Sequence, residues 1–448
     1  MVEGNVRLVV SGDTSSLARV LGLSAISPAV EVVPPESVAG TVNADKSTLA
    51  LAALPSVDHR VRSLTVDGIG PTLKVGDISQ YTLHSRLYLD VPDATGEAAQ
   101  LQSLLIGQLE TALPSQALNP VRLLATGDII FGRCTWTRTV QYGEPYIAAF
   151  LDIADFLKSA DVAMGNMDNT LSDSITPMGC GTGTVNFVAP TSFLDGVEYA
   201  GIDIMTQGSN HLRDFGPQYV VETIDALDRY GITHAGAGRN LAEAQAAAIY
   251  EVAGVRFGVV SGVNIDVADN SSYWATADSA GSAPIDTASV TASIAAVRDQ
   301  VDYVIFAPQW GIEYIPGPSE KQRVLAEAAL AAGADLIVGN HPHVPQWAVH
   351  NDQRGFVAWA LGNFVYDQDW CYWTERSAIL EAVFGDGRLL SVRYHPVKIE
   401  DYHRPHLTEG SDRENVLRLI ELGSTGQLAN ELICATSPLR TVLQPFVE

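Results

Sequence analysis

"ADLIVGNHPHVPQ", residues 334–346, decides how this chain is read. A hydrophobic run ends in two histidines, His341 and His343, on either side of one proline. The chain has only 10 histidines in 448 residues, so two imidazoles this close at a strand end suggest a metal site. One pair does not settle it. Partners have to come from elsewhere in the sequence.

They come from the ends of other apolar runs. "LLATGDIIFGR" ends on Asp128, "VAMGNMDNTLSD" delivers Asn166 and Asp168, and "IMTQGSNHLRDFG" delivers Asn210, His211 and Asp214. "IFAPQWGIEY" adds Gln309. A Gly-Asp after a strand is commonly a turn, and an Asn-His pair is commonly a cap. Taken in order, these strand ends supply carboxylates, imidazoles and an amide enough to surround a pair of divalent ions.

The same runs give the fold class. "VRLLATGDIIF", "ADVAMGNMD", "VRFGVVSGV", "VDYVIFAPQWG", "GFVAWALGNFVYD" and "RLLSVRYHPVKI" read as strands, with "GPQYVVETIDALDRYG" and "SEKQRVLAEAALAAG" as helices between them. Near-continuous apolar strands are buried on both faces, which predicts an α/β sandwich with ligands at the strand ends. Residues 1–118 read as a smaller N-terminal α/β domain resembling a solute-binding lobe, joined through "SQALNP" to a domain at 119–400. Residues 401–448 read as a helical tail packing on it.

Composition bounds the partners. Asp plus Glu outnumber Lys plus Arg by 52 to 27, a net charge of −25, so nucleic acid is excluded as a partner and a polybasic membrane patch is absent. No apolar run reaches the roughly 18 residues of a membrane helix, and "MVEGNVRLVV" has no signal-peptide character. An extracytoplasmic or cell-surface protein given in mature form is expected, with a cytoplasmic one left open. Cys134, Cys180, Cys371 and Cys434 show no CxxC spacing. They form a disulfide if the protein is exported and buried thiols otherwise.

The blocks "GDIIFGR", "GNMDNTLSD", "GIDIMTQGSNHLRDFG", "APQWGIEY", "GADLIVGNHPHVPQ" and "ALGNFVYDQ", over about residues 121–400, resemble the CapA family. These are capsule and poly-gamma-glutamate biosynthesis proteins of the calcineurin-like metallophosphoesterase superfamily. The resemblance implies a four-layer α-β-β-α sandwich of two mixed sheets with one or two divalent ions (Mn, Zn, Mg or Fe) at the strand ends. Asp128, Asp168, Asn210, Gln309, His341 and His343 would hold metal; His211, with Asp128, would be catalytic. This sequence departs from the superfamily pattern at Ile130, where a ligand histidine is usual, and at Gln309, where the family usually has His. It also has Asp168 where a Glu is usual. One ion, a harder ion such as Mn or Mg, or none would fit those departures.

Arg133 reads either as a clamp for phosphate or carboxylate or as a structural ion pair. Trp310 reads as core, or as a platform for a substrate ring, and Asn363 in "ALGNFVYDQ" as a substrate contact. "GCGTGTV" (179–185) lacks the lysine of a P-loop and reads as a turn at the pocket rim. His395, His403 and His406 read as surface residues. Two functions follow. One is a metal-dependent hydrolase of a phosphoester or amide bond, acting on an anionic polymer or a small phosphorylated or carboxylated substrate. The other is a non-catalytic accessory of polymer assembly and export, with a degenerate site and membrane-bound polymer synthase partners.

Overall fold

The computed structural model describes residues 120–266, 271–347 and 355–422, together with three short strands near the N-terminus. Those strands, Arg7–Ser11, Glu31–Val33 and Thr48–Leu51, pair in parallel with Arg7–Ser11 in the middle. The rest of the expected solute-binding-like lobe lies outside the described residues. The chain falls into two compact units, residues 1–122 with 382–393, and 123–381 with 394–448.

The two main sheets are built around parallel strands whose sequences are apolar almost without interruption. Val121–Ile129 (β1), Val162–Met167 (β2), Ile204–Thr206 (β3) and Thr233–Ala235 (β4) run in parallel in that order. Ala248–Val252 (β5) and Val255–Ile265 (β6) form a hairpin, and Tyr303–Gly311 (β7), Leu336–Val338 (β8) and Phe356–Ala358 (β9) follow β6 in parallel. Asn363–Val365 (β10) returns to pair with the end of β1. Arg376–Gly385 (β11), Arg388–Glu400 (β12) and Arg404–Leu407 (β13) complete the set. The result is a five-stranded sheet, β5-β6-β7-β8-β9, and an eight-stranded one, β13-β12-β11-β1-β2-β3-β4 with β10 beside β1.

Helices cover the outer face of each sheet, giving the expected four layers. Pro217–Tyr230 (α1) starts on Pro217 at its first turn and stops at Gly231, which takes the left-handed conformation a C-cap needs. Its Val220, Ile224 and Leu227 are fully buried at helical spacing, each burial contributing about 1.5–3 kcal/mol. Thr287–Arg298 (α2) and Glu320–Ala331 (α3) are capped by Asp286 and Ser319 with reciprocal partners Ser289 and Gln322. Both pack on β7 and β8 through Ile294, Val297, Leu325 and Ala329 against Val304, Phe306 and Ile337. Gly208, just past β3, lies so close to Gly262 of β6 that a side chain on it would overlap that backbone, so the two sheets meet where the strands end.

Two expectations change. "GFVAWALGNFVYD" is not one strand: β9 belongs to the five-stranded sheet and β10 to the eight-stranded one. The chain crosses at Gly362, whose φ of 85° suits glycine, and whose carbonyl accepts from Asp128 N at 2.9 Å. The segment after 400 is not only helical either. Strand β13 precedes the helix Gly410–Leu422, and His403 is buried, with Nε2 2.8 Å from Glu144 Oε2.

Candidate metal centre

Strand register sets the floor of the site. Asn363, Asp128, Asn166 and Thr206 sit side by side across β10, β1, β2 and β3, and Val263, Gln309 and Asn340 do so at the end of β6 and β7. All these pairings are parallel, so polar side chains from both sheets collect at one set of carboxyl ends, the general ligand position of such folds.

Two groups of ligand atoms form there. Asp128, Asp168 and His343 offer atoms all within 4.8 Å of one another, and so do Glu313, His341 and His343. His343 belongs to both. Its Nδ1 lies 3.1 Å from Asp128 Oδ2 and 2.9 Å from Asn363 Oδ1. Asn363 in turn donates to Thr374 O at 2.9 Å and Gln368 Oε1 at 3.2 Å. Asp128 also accepts from Asn166 Nδ2 at 2.8 Å, and Thr206 Oγ1 donates to Asn166 Oδ1 at 2.9 Å. Ser209 Oγ donates to Asp168 Oδ1 at 2.6 Å. Each carboxylate is thus aimed by neighbours of its own.

Burial and the neighbouring histidines set how these groups titrate. Burial pushes Asp128 up, against the hydrogen bond and charge of His343. Burial also opposes Asp168 ionising, yet the charges of His211 and His343 and the Ser209 bond outweigh it and lower its pKa. Burial disfavours a charged His343, but Asp128, Glu313 and Asp168 raise it to about 9. His341 goes the other way: burial lowers it to about 4. One imidazole therefore carries the compensating positive charge and the other is neutral with a free lone pair, a balance a divalent cation would take over.

Unsatisfied atoms support the fit. Asp168 Oδ2, Asn210 Oδ1 and His341 Nδ1 are buried without a hydrogen-bond partner among the described residues. Leaving such atoms unpaired costs about 1–3 kcal/mol each, more for a charged group. His341 and His343 also take left-handed φ values of 97° and 59°, and Arg133 and Tyr314 take 48° and 63°. Strain of this kind persists where the surroundings over-determine a site.

His211 stands beside this group. Its Nδ1 is 3.0 Å from Asp214 Oδ2, an oxygen that also accepts from Phe187 N at 2.7 Å, and the Phe187 ring packs edge-on at 4.5 Å. Burial lowers its pKa, but the Asp214 bond and the charges of Asp168 and Asp214 raise it overall.

Several expected residues have partners within the protein. Gln309 is fully buried and its Oε1 accepts from Asn210 N at 3.1 Å, so it positions the Asn210 loop. Trp310 is fully enclosed with Nε1 bonded to Trp359 O at 2.8 Å, leaving no ring face for a substrate. Asn363 has no exposure, and its Oδ1 lies 2.9 Å from His343 Nδ1. Arg133 forks onto Asp367, donates to Thr184 O at 3.1 Å, and lies between the Phe187 and Tyr366 rings; its charge is already neutralised. Cys134 and Cys180 form a disulfide that ties the 179–185 turn beside Arg133. Glu313 was missed. Its signal was present in "WGIEY", but it lies in a loop after the strand, where periodicity assigns nothing.

The chain is 29% identical over 297 residues to the capsule biosynthesis protein CapA of Bacillus anthracis, covering 65% of this chain and 71% of that protein. It is 27% identical over 265 residues to the PGA biosynthesis protein CapA of Bacillus subtilis, covering 57% of this chain and 65% of that one. Among solved structures it is similar to a 5′-nucleotidase from Candida albicans at 12% identity, with a TM-score of 0.37 over 66% of this chain and 56% of that chain. The family described as "Bacterial capsule synthesis protein PGA_cap" matches residues 122–368, which span every candidate ligand above. With more than half of its length matched, and the site inside the match, the chain belongs to the bacterial capsule synthesis protein PGA_cap family.

Proposed function

We propose that this protein is a divalent-metal-dependent hydrolase that cleaves a phosphoester or amide bond during assembly of an anionic capsule polymer. The observation that carries the reading is the buried Asp128–Asp168–His343 group with unpartnered ligand atoms around it. Asp128, Asp168, Asn210, His341 and His343 would hold one or two ions. A bound divalent ion supplies Lewis acidity toward a phosphoryl or carbonyl oxygen.

The protein's own residues do the rest. Asp214 engages His211 Nδ1 and keeps the ring charged more readily, so Nε2 can hold a proton for a leaving group. Phe187 fixes the ring plane. With Arg133 neutralised by Asp367 and a net charge of −25, an anionic chain gains attraction here only where a cation offsets the carboxylates. The Cys134–Cys180 bond suits an oxidising, extracytoplasmic setting. No helix among the described residues is long and apolar enough to cross a membrane.

The test is elemental analysis of the purified protein with assays on phosphomonoester, phosphodiester and polyglutamyl substrates. Asp168→Asn is expected to lose metal and turnover together. His211→Gln is expected to keep metal and lose about 10²–10⁴-fold in turnover. A metal-loaded protein that turns over none of these substrates would favour the accessory, polymer-binding role instead.

A further inference from the structure

We infer that Glu313 is a metal ligand, forming with His341 and His343 a seat for a borderline divalent ion such as zinc that shares His343 with the aspartate pair. The inference rests on the metal reading above and assigns a residue outside the strand-end pattern.

The geometry is specific. Ligand atoms of Glu313, His341 and His343 lie within 4.8 Å of one another. His341 is 2% exposed, and its Nδ1 has no partner among the described residues. A buried, unpaired imidazole nitrogen on a residue of such a group is a polar atom awaiting a ligand. The loop that brings Glu313 there is pinned on both sides. Tyr314 N donates to Pro342 O at 2.8 Å, between the two histidines, and Trp310 N donates to Asn340 O at 3.2 Å. Glu313 is therefore held against the His-Pro-His segment by backbone bonds, whether or not its own carboxylate is engaged.

The donor sets of the two seats differ in character. Asp128, Asp168 and His343 offer two carboxylates and one imidazole, a hard set suited to manganese or magnesium. Glu313, His341 and His343 offer one carboxylate and two imidazoles, the combination typical of three-ligand zinc sites with an open position. Glu313 thus supplies a ligand to a site that lacks the usual ones at Ile130 and Gln309.

The experiment titrates full-length, metal-stripped protein with zinc and, separately, with manganese by calorimetry, for wild type, Glu313→Gln and Glu313→Asp. Glu313→Gln keeps size and half-burial, and its unfolding midpoint without metal serves as a folding control. Zinc affinity is expected to fall about tenfold or more in Glu313→Gln and to recover in part in Glu313→Asp, while manganese affinity stays within about twofold. Unchanged zinc affinity in a folded Glu313→Gln, or an equal fall for manganese, overturns the seat while leaving the aspartate site standing. If wild type binds neither ion, the metal reading itself fails and this inference with it.

Discussion

The imidazole of His343 is held between two acceptors, Asp128 Oδ2 at 3.1 Å and Asn363 Oδ1 at 2.9 Å, and those acceptors sit opposite each other on paired strands β1 and β10. The ring's orientation is therefore fixed by sheet register rather than by its own loop. That loop contributes the strained left-handed backbone at His341 and His343. The two features together explain how a His-Pro-His turn can present both imidazoles to one small volume.

Asn363 should matter to metal without touching it. Removing its acceptor in Asn363→Ala leaves His343 free to rotate away from Asp128. Residues that orient ligands in this way typically cost 10–100-fold in metal affinity when lost. Competition against a chromophoric chelator measures it, and wild-type affinity in the variant would show that Asp128 alone orients the ring.

Gln309 is expected to contribute to stability through Asn210. In Gln309→Leu the backbone N–H of Asn210 loses its acceptor inside the protein, at a cost of about 1–3 kcal/mol. Urea unfolding of the metal-free protein reads this out. A variant as stable as wild type would mean that water replaces the amide oxygen.

Trp310 separates core from substrate site. Trp310→Phe keeps most of the ring volume but strands the Trp359 carbonyl, so a loss of about 1–3 kcal/mol is expected, with the Michaelis constant of any substrate unchanged. A raised Michaelis constant at unchanged stability would return Trp310 to the substrate surface.

The Cys134–Cys180 bond closes a sequence separation of 46 residues. Chain-entropy reasoning gives about 4 kcal/mol for a loop of that size, and 2–4 kcal/mol is the usual range. The double variant Cys134→Ser, Cys180→Ser should unfold at correspondingly lower urea concentration. Equal midpoints would mean that the turn is held by Arg133, Thr184 and Thr137 without the covalent link.

The sequence by itself determined the strand ends. Hydrophobic runs that stop at Asp128, Asp168, His341 and His343 are local patterns, and burial on both sheet faces forces each strand to read that way wherever it lies. The fold class followed from the same runs. What only the tertiary structure decided is which groups meet. Gln309 occupies a strand-end position, yet its oxygen turns to the Asn210 backbone. Glu313 occupies none, yet a loop bonded to Pro342 delivers it to the histidines. "GFVAWALGNFVYD" looks continuous, but Gly362 turns the chain from one sheet to the other, which places Asn363 beside Asp128. His403 reads as a surface residue in sequence and is buried against Glu144, 259 positions away. Periodicity reports the environment of a segment along its own axis. Side-chain partners depend on register and on loop closure between segments distant in the chain, and only the folded sheets supply those.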